Sequence, residues 1–321
     1  MVKRYSTIQR LLWGIAVGEG LSYLPSRPQK QLVVARDFAQ FDGEVQWGML
    51  TSLSLATTAS LARGYQLPNI MEHFQNWQKK SHYAPTKTIQ TIAPITKQAL
   101  RNYVEYRDTL SSGLVDAKFT NDAVLGRMLP VAVYLAAEYG VQFINDEAAM
   151  LAMHRIAGLT HNQTSSLVAV GMLNLIVAQI LAGRDLTDAI ENGLALGFEY
   201  YSRHAAFVGE LAAYQRLNMP DFRHVPAESL TFDGSAPATV EAVVWSLLNS
   251  TDLHSALQAS LSRGHVSATV PTLVSGLAAL AYDDATDLLA YTQFLVAKRN
   301  LDIVGKAAER SGRFDVESKG I

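Results

Sequence analysis

Three residues of the sequence are candidates for acid–base chemistry: Glu19, His161 and His265. Histidine titrates near neutral pH and a carboxylate can orient it, so a Glu–His pair is a candidate general acid and base. The competing interpretation is structural. His161 is followed by Asn162 and Thr164, and either side chain can cap the helix that begins there. Both interpretations stay open at this point, because sequence alone does not show which of these residues meet.

Chemistry with divalent cations needs oxygen ligands, mainly carboxylates, and two long stretches of the chain contain none. No acidic residue occurs between Glu44 and Glu72, or between Asp252 and Asp283. The chain also has no cysteine, which excludes disulfides, thiolate metal sites and a cysteine nucleophile. A metal site built on either stretch would therefore lack its usual ligands.

Composition favours a compact globular protein of 321 residues, with 49% hydrophobic residues, 17% charged residues and a net charge of −2. The basic residues are dispersed, so we expect neither nucleic-acid nor anionic-membrane binding. The most apolar run, Leu167–Gly183, contains Asn174 and Gln179, and it is short for a membrane span. We interpret it as a buried core helix. The apolar stretch that follows Arg10 lacks a convincing cleavage site, so we interpret it as the first core helix and expect a cytoplasmic protein.

Apolar residues recur at three- and four-residue spacing almost throughout, which predicts an all-α fold. The predicted helices span residues 6–17, 50–63, 68–80, 92–110, 122–139, 146–158, 163–183, 185–217, 239–249, 252–263, 267–282 and 285–308. The longest irregular stretch is 218–238, and long loops in compact domains are often functional. We predict one domain over residues 1–304 and a polar, frayed tail over 305–321.

Five segments, in order, resemble the ADP-ribosylglycohydrolase family. They are LLWGIAVGEGLSYLPS, GEVQWGMLTSLSLATTASL, FQNWQKKSHYAPTKTIQTIAPITKQAL, HRIAGLTHNQTSSLVAVGMLNLIVAQILAGRDLTDAI and TVEAVVWSLLNSTDLHSALQASLSRGHVSATVPTLVSGLAALAY. The fourth carries the family's Thr-His step and the long apolar helix after it. The resemblance covers residues 8 to 290. It implies a compact orthogonal multi-helix bundle, two magnesium ions, and hydrolysis of the bond between ADP-ribose and a modified protein residue.

The metal motifs of the family are altered at every matching position. The Thr-Asp-Asp-Thr motif falls on Gln46, Trp47, Gly48 and Met49. The two closing aspartates fall on Val266 and Ala268 with the motif's threonine at Thr269, or after a slip of one residue on His265 and Ser267. The aspartate of the first turn is Glu19, and the Asn-Gly-x-x-Met-Arg stretch appears as TNDAVLGRMLP. The cleft implied by the resemblance comprises Glu19, Gln46, Trp47, Gly48, Met49, Asn121, Asp122, His161, His265, Ser267 and Thr269.

The resemblance and its departures together predict a catalytically inactive family member without magnesium or another cofactor. Such a protein would act by binding, as a scaffold, a regulator or a recogniser of ADP-ribosylated proteins or nucleotide-like ligands. The alternative is a metal-independent hydrolase that acts on an ADP-ribosyl or nucleoside-like substrate through Glu19 and His161 or His265. The oligomeric state stays open.

Bulky residues at the altered positions predict that the former metal cleft is partly filled. We expect Trp47 to point into this cleft and to pack near Val266, with its indole nitrogen hydrogen-bonded to a neighbouring group. An open polar cleft in which Glu19, His161 and His265 lie within reach of one another would favour the hydrolase instead.

Overall fold

The computed structural model describes residues 5–89, 91–116, 118, 121–262 and 267–316. Within these residues the secondary structure is helical, without a β-strand, and the predicted all-α fold is confirmed. The α-helices are α1 Thr7–Ser22, α2 Ser26–Val33, α3 Met49–Leu61, α4 Leu67–Lys80, α5 Pro94–Tyr106, α6 Leu129–Tyr139, α7 Glu147–Gly158, α8 Thr164–Leu181, α9 Leu186–Ser202, α10 Ala236–Leu248, α11 Leu253–Leu261, α12 Thr269–Ala281, α13 Thr286–Thr292 and α14 Lys298–Arg310.

Helix α8 lies at the centre of the bundle. By length and composition it could cross a membrane, but 83% of it is buried inside the fold, as in the core helix that its sequence predicts. Its residues are buried without a break from Ser166 to Ile180, and α6, α7, α9 and α10 pack around it. An all-round apolar helix of this kind is stable only when other helices cover every face.

Replacing Leu173 or Ile176 with alanine is expected to lower the free energy of unfolding by about 2–5 kcal/mol, the usual range for large-to-small changes in a packed core. Both side chains are at most 1% exposed. Urea denaturation of each variant against the parent protein measures the loss. A cost below about 1 kcal/mol would place α8 at an exchangeable surface and contradict the core assignment.

Helices α1 and α12 approach each other closely because glycine lies at their contact. A Cβ on Gly18 would lie 2.0 Å from the carbonyl oxygen of Pro271, and one on Gly14 would lie 2.6 Å from that of Ser275. Real carbon atoms do not come this close to a backbone oxygen, so the approach requires glycine at both positions. The contact fixes the end of α1, which carries Glu19, against the start of α12, which carries Thr269.

Several predicted elements differ from the structure. Helix α2 was not predicted. The predicted helix over 185–217 ends at Ser202, and a 3-10 segment, Val208–Asn218, follows it. The predicted helix over 285–308 is divided into α13 and α14. Two shorter 3-10 turns interrupt the 218–238 stretch, and none of its residues lines the cavity beside α3 that is described below.

The segment after residue 304 is not frayed over its described part. Helix α14 continues to Arg310, Ala308 is buried, and Phe314 packs against Tyr134 with ring centroids 5.8 Å apart. The expectation of a frayed tail is therefore wrong for residues 305–316, because apolar side chains at helical spacing anchor them to the core. The division of the chain into a domain of residues 1–304 and a tail stays a prediction.

Candidate functional site

The first turn of α3 is capped by a side chain from a different helix. Gly48 precedes the helix and has no side chain to offer, so the first amides of α3 need another acceptor. The Glu19 carboxylate, at the end of α1, accepts hydrogen bonds from the Leu50 amide at 3.0 Å and the Thr51 amide at 2.8 Å. The Tyr23 hydroxyl donates to the same carboxylate at 3.1 Å. Glu19 thus stabilises the start of α3 in the manner of an N-cap.

Glu19 is fully buried, and burial raises its pKa above the usual value of 4.5. The hydrogen bonds from the backbone of Thr51, Leu50 and Gly48 act in the opposite direction. Gly48 leaves room for this arrangement, because a Cβ there would lie 2.8 Å from both the Glu19 Oε1 and the Tyr23 hydroxyl oxygen. The carboxylate is therefore fully engaged in holding α1 against α3.

The two bulky residues beside Gly48 bind the backbone of the irregular segment 81–93, which we call the 81–93 loop. The Trp47 indole N–H donates to the carbonyl oxygen of Tyr83 at 3.0 Å. The Ala93 amide donates to the Met49 sulfur at 3.4 Å. The predicted hydrogen bond of the Trp47 indole nitrogen is confirmed, whereas Val266, its expected neighbour, lies outside the described residues. Trp47 and Met49 thus anchor the 81–93 loop next to the start of α3.

A cavity of about 410 Å³ remains between the start of α3 and the 81–93 loop. Trp47 lines it, as expected of a side chain that points into the former cleft. Most of the described residues that line it are apolar or carry hydroxyl groups, and none has a charged side chain. They are Tyr23, Trp47, Gly48, Met49, Leu50, Ser52, Trp77, Ala84, Pro85, Thr86, Thr88, Ile89, Thr91, Ala93, Ala123, Ala268 and Thr269. The volume is that of a small-molecule site.

Asp122 lies next to this cavity, in a cluster of hydroxyl groups. Its carboxylate accepts a hydrogen bond from the Thr239 hydroxyl at 3.0 Å and also interacts with the hydroxyls of Ser267 and Thr269. Burial raises its pKa, and these hydrogen bonds partly counteract that effect. Asp122 therefore ties the start of α12 to α10 through neutral partners.

His161 belongs to a buried chain of hydrogen bonds away from the cavity. The fully buried Arg127 donates to the Thr160 hydroxyl oxygen at 2.8 Å, and that hydroxyl is 2.8 Å from the Nδ1 of His161. The Nε2 of His161 is 2.8 Å from the Asn121 side-chain oxygen, which also accepts the Ala123 amide. An amide oxygen only accepts, so Nε2 carries the proton and Nδ1 accepts from Thr160. His161 is therefore neutral and positions the 121–123 segment.

Protonation of His161 is opposed by its surroundings. Burial, reinforced by the charge of Arg127, lowers its pKa from the usual 6.5 to about 3. A second proton at Nδ1 would also break the hydrogen bond from Thr160. Below pH 6.5 the unfolded state therefore binds a proton at His161 that the folded state does not bind. The contribution of neutral His161 to stability is complete above that pH and is lost as the pH falls.

Acidification from about pH 6.5 to about pH 4 is expected to lower the free energy of unfolding by about 3 kcal/mol through His161, at about 1.4 kcal/mol per pH unit. His154, whose pKa burial lowers to about 4, adds to the same slope. Urea denaturation across this range measures it. His161→Gln should flatten the slope. Equal slopes for His161→Gln and the parent would contradict the assignment.

Only some of the residues of the predicted cleft lie close together in the structure. Trp47, Gly48, Met49 and Thr269 line the cavity, and Asp122 and Ser267 lie beside it. Glu19 lies behind the start of α3, Gln46 is half-buried next to Trp47, and neither is among the lining residues. His161 and Asn121 form the separate chain described above, and His265 lies outside the described residues.

Several cavity residues were missed in the sequence. Trp77 and the 81–93 loop supply most of the wall opposite α3. The loop carries one proline and three threonines in thirteen residues, which marks it as irregular. Its place beside Trp47, however, follows from packing between segments far apart in sequence, so no local pattern could have revealed it.

The donor set does not fit two magnesium ions. Among the described residues, the positions matched to the metal motifs offer an amide, an indole, a glycine, a thioether and hydroxyl groups, and the Glu19 carboxylate is bound to amides. The described residues contain no group of three or more His, Asp or Glu that could hold a metal ion. Magnesium prefers carboxylate and water oxygens in octahedral geometry.

Comparison with known proteins gives one family and one fold. The family model for ADP-ribosylglycohydrolase matches residues 2–286. A solved structure named "ADP-ribosylglycohydrolase-related protein complex" superposes with a TM-score of 0.66 at 20% sequence identity, and the match covers 95% of this chain and 98% of that one. At this identity the likeness shows the fold alone. A search of curated proteins gives no match.

Proposed function

The chain belongs to the ADP-ribosylglycohydrolase family, and we propose that it acts by binding a ligand in the cavity beside α3 and not by magnesium-dependent hydrolysis. One observation carries this proposal. The side chains at the motif positions are committed to other contacts: Trp47 and Met49 bind the 81–93 loop, and Glu19 binds the amides of α3. Side chains that are held by these contacts are not free to coordinate cations.

The cavity supports a binding role because its volume of about 410 Å³ suits a small molecule. The resemblance implies ADP-ribosylated proteins or nucleotide-like molecules as the ligands, so the protein would serve as a recogniser, a regulator or a scaffold. The alternative of a metal-independent hydrolase gains no support among the described residues, because neither Glu19 nor His161 lines the cavity and both are fully hydrogen-bonded.

Hydrolysis assays test the proposal. The purified protein is expected to leave ADP-ribosyl-arginine and ADP-ribosyl-serine substrates intact, with or without magnesium, because the acidic ligands that the family's reaction needs are replaced. Release of ADP-ribose is measured against a control without enzyme. Turnover that a chelator abolishes would overturn the proposal outright, and turnover that a chelator leaves unchanged would favour the metal-independent hydrolase.

Titration calorimetry with magnesium and manganese supplies a second readout. We expect no saturable binding in the millimolar range. Glu19→Gln is the matched control, since it removes the carboxylate matched to the family's first-turn aspartate while keeping an oxygen acceptor. A saturable signal in the parent protein that disappears in Glu19→Gln would show that this carboxylate holds a cation.

A further inference from the structure

We propose that the cavity between α3 and the 81–93 loop takes an uncharged ligand with a flat aromatic ring and discriminates against anionic molecules, including those with phosphate groups. This inference rests on the proposal that the cavity is the binding site. It assigns the cavity a ligand chemistry that differs from the ADP-ribosyl and nucleotide-like ligands that the family resemblance implies. Three features of the described wall lead to it. They are its aromatic side chains, its neutral polar groups and the hydrogen bonds to Glu19 that already occupy the first amides of α3.

The apolar part of the wall suits an aromatic ring. The Tyr23 ring, which is 50% exposed, lines the cavity together with Met49, Pro85 and Ile89, and the almost fully buried rings of Trp47 and Trp77 support this wall. An exposed phenol ring offers a flat surface, and a methionine sulfur makes favourable contacts with aromatic rings. A flat ring would bury more apolar surface against these side chains than a flexible chain of equal size, at a smaller loss of conformational entropy.

The polar part of the wall is neutral. It consists of hydroxyl groups from Tyr23, Ser52, Thr86, Thr88, Thr91 and Thr269. The hydroxyls of Tyr23, Ser52 and Thr86 already donate within the protein, to Glu19 and to the carbonyls of Gly48 and Thr88. They therefore offer acceptors, which pair with the N–H and O–H groups of an uncharged ligand and not with an anion. An ion moved from water into such a wall would lose its hydration without gaining an opposite charge, which is costly.

The helix terminus at the cavity does not offset that cost. The start of an α-helix commonly binds anions through its free amides. Here the Glu19 carboxylate already accepts the amides of Leu50 and Thr51 at 3.0 and 2.8 Å. Those amides are occupied whether Glu19 is charged or neutral, and a charged Glu19 would also repel an anion. The terminus is thereby closed to phosphate and carboxylate groups.

Matched probes test the charge preference on the full-length protein. Cinnamamide and cinnamate share the same flat ring and differ in charge, and cinnamylamine supplies the cation. We expect saturable binding of cinnamamide by titration calorimetry, and affinities at least about tenfold lower for cinnamate, a difference of about 1.4 kcal/mol. ADP-ribose should also bind more weakly than cinnamamide. Tighter binding of cinnamate, cinnamylamine or ADP-ribose, or no binding of cinnamamide, would overturn the inference.

Two tryptophan substitutions locate the binding. Thr88 is an exposed residue on the cavity wall, and Thr231 is exposed and does not line this cavity. Thr88→Trp should fill the opening and lower the affinity for cinnamamide at least about tenfold, whereas Thr231→Trp should leave it unchanged. Equal affinities for both variants would place the probe elsewhere and overturn the inference.

The two proposals fail in different ways. Tight binding of ADP-ribose without any turnover would overturn the charge preference and leave a binding role intact. Turnover of ADP-ribosyl substrates would overturn the proposed binding role itself, whatever the probes show.

Discussion

Replacement of Trp47 by alanine is expected to lower the free energy of unfolding by about 3–5 kcal/mol, the usual range for truncating a large buried aromatic side chain. The Trp47 side chain is almost fully buried at the start of α3, and its N–H is bonded to the Tyr83 carbonyl. The substitution would remove the apolar contacts and also release the 81–93 loop. Urea denaturation measures the loss, and tryptophan fluorescence from the remaining residues reports the transition.

Trp47→Phe is the matched control, because it keeps most of the apolar bulk and removes only the N–H donor. Its cost should be smaller, about 1–3 kcal/mol, as expected when a buried carbonyl loses its hydrogen-bond partner. If Trp47→Ala cost less than about 1 kcal/mol, the indole would contribute little to packing. The interpretation of Trp47 as the residue that fills the former metal cleft would then be wrong.

The fold was predictable because the apolar pattern is strong wherever a helix is buried. Residues 167–180 are apolar on all sides apart from Asn174 and Gln179, and the structure buries all of them. Asp185 and Asp252 mark helix starts in the sequence, and each caps its helix in the structure. Such signals are local, so they survive in a single sequence.

Helix ends and breaks were harder to predict, because tertiary contacts decide them. The helical spacing of residues 185–217 continues past Ser202, but the chain turns at His204 and continues as a 3-10 segment. The His204 ring lies tilted against the Tyr200 ring, with the ring centroids 4.1 Å apart. The apolar period is similar on both sides of this turn, so the sequence alone does not show the break.

Only part of the site was predictable from the sequence, because tertiary contacts decide the rest. The burial of Trp47 beside a cavity at the position of the first metal motif agrees with an expectation from volume, since a polar hole without its ligands must be filled or hydrated. The role of Glu19 does not follow from any local pattern, because the amides that it caps are 31 and 32 residues further along the chain. Acid–base chemistry was one prediction for Glu19, and a remote helix cap is what the structure shows.

Replacement of Glu19 by alanine is expected to cost about 2–6 kcal/mol, because it leaves two buried amides without an acceptor and each such loss costs about 1–3 kcal/mol. The Tyr23 hydroxyl would lose its acceptor as well. Amide hydrogen exchange gives a local readout: the first turn of α3 should lose protection, whereas the α7 amides, capped by Asp146, should not. Unchanged protection at Leu50 and Thr51 would contradict the capping role.

Glu19→Gln separates the hydrogen bonds of this side chain from its charge. Glutamine keeps one oxygen acceptor, so its cost near neutral pH should be smaller than that of alanine. Burial raises the pKa of Glu19 above 4.5, so the folded state binds the proton more tightly than the unfolded state does. The contribution of Glu19 to the stability of the parent protein should therefore fall as the pH rises from 4.5 through the folded pKa, opposite in sign to the contribution of His161, and Glu19→Gln should lack this component. Parallel profiles for the two proteins over that range would mean that the carboxyl ionises in the fold as easily as in water. That result would contradict the raised pKa that follows from its complete burial behind α3.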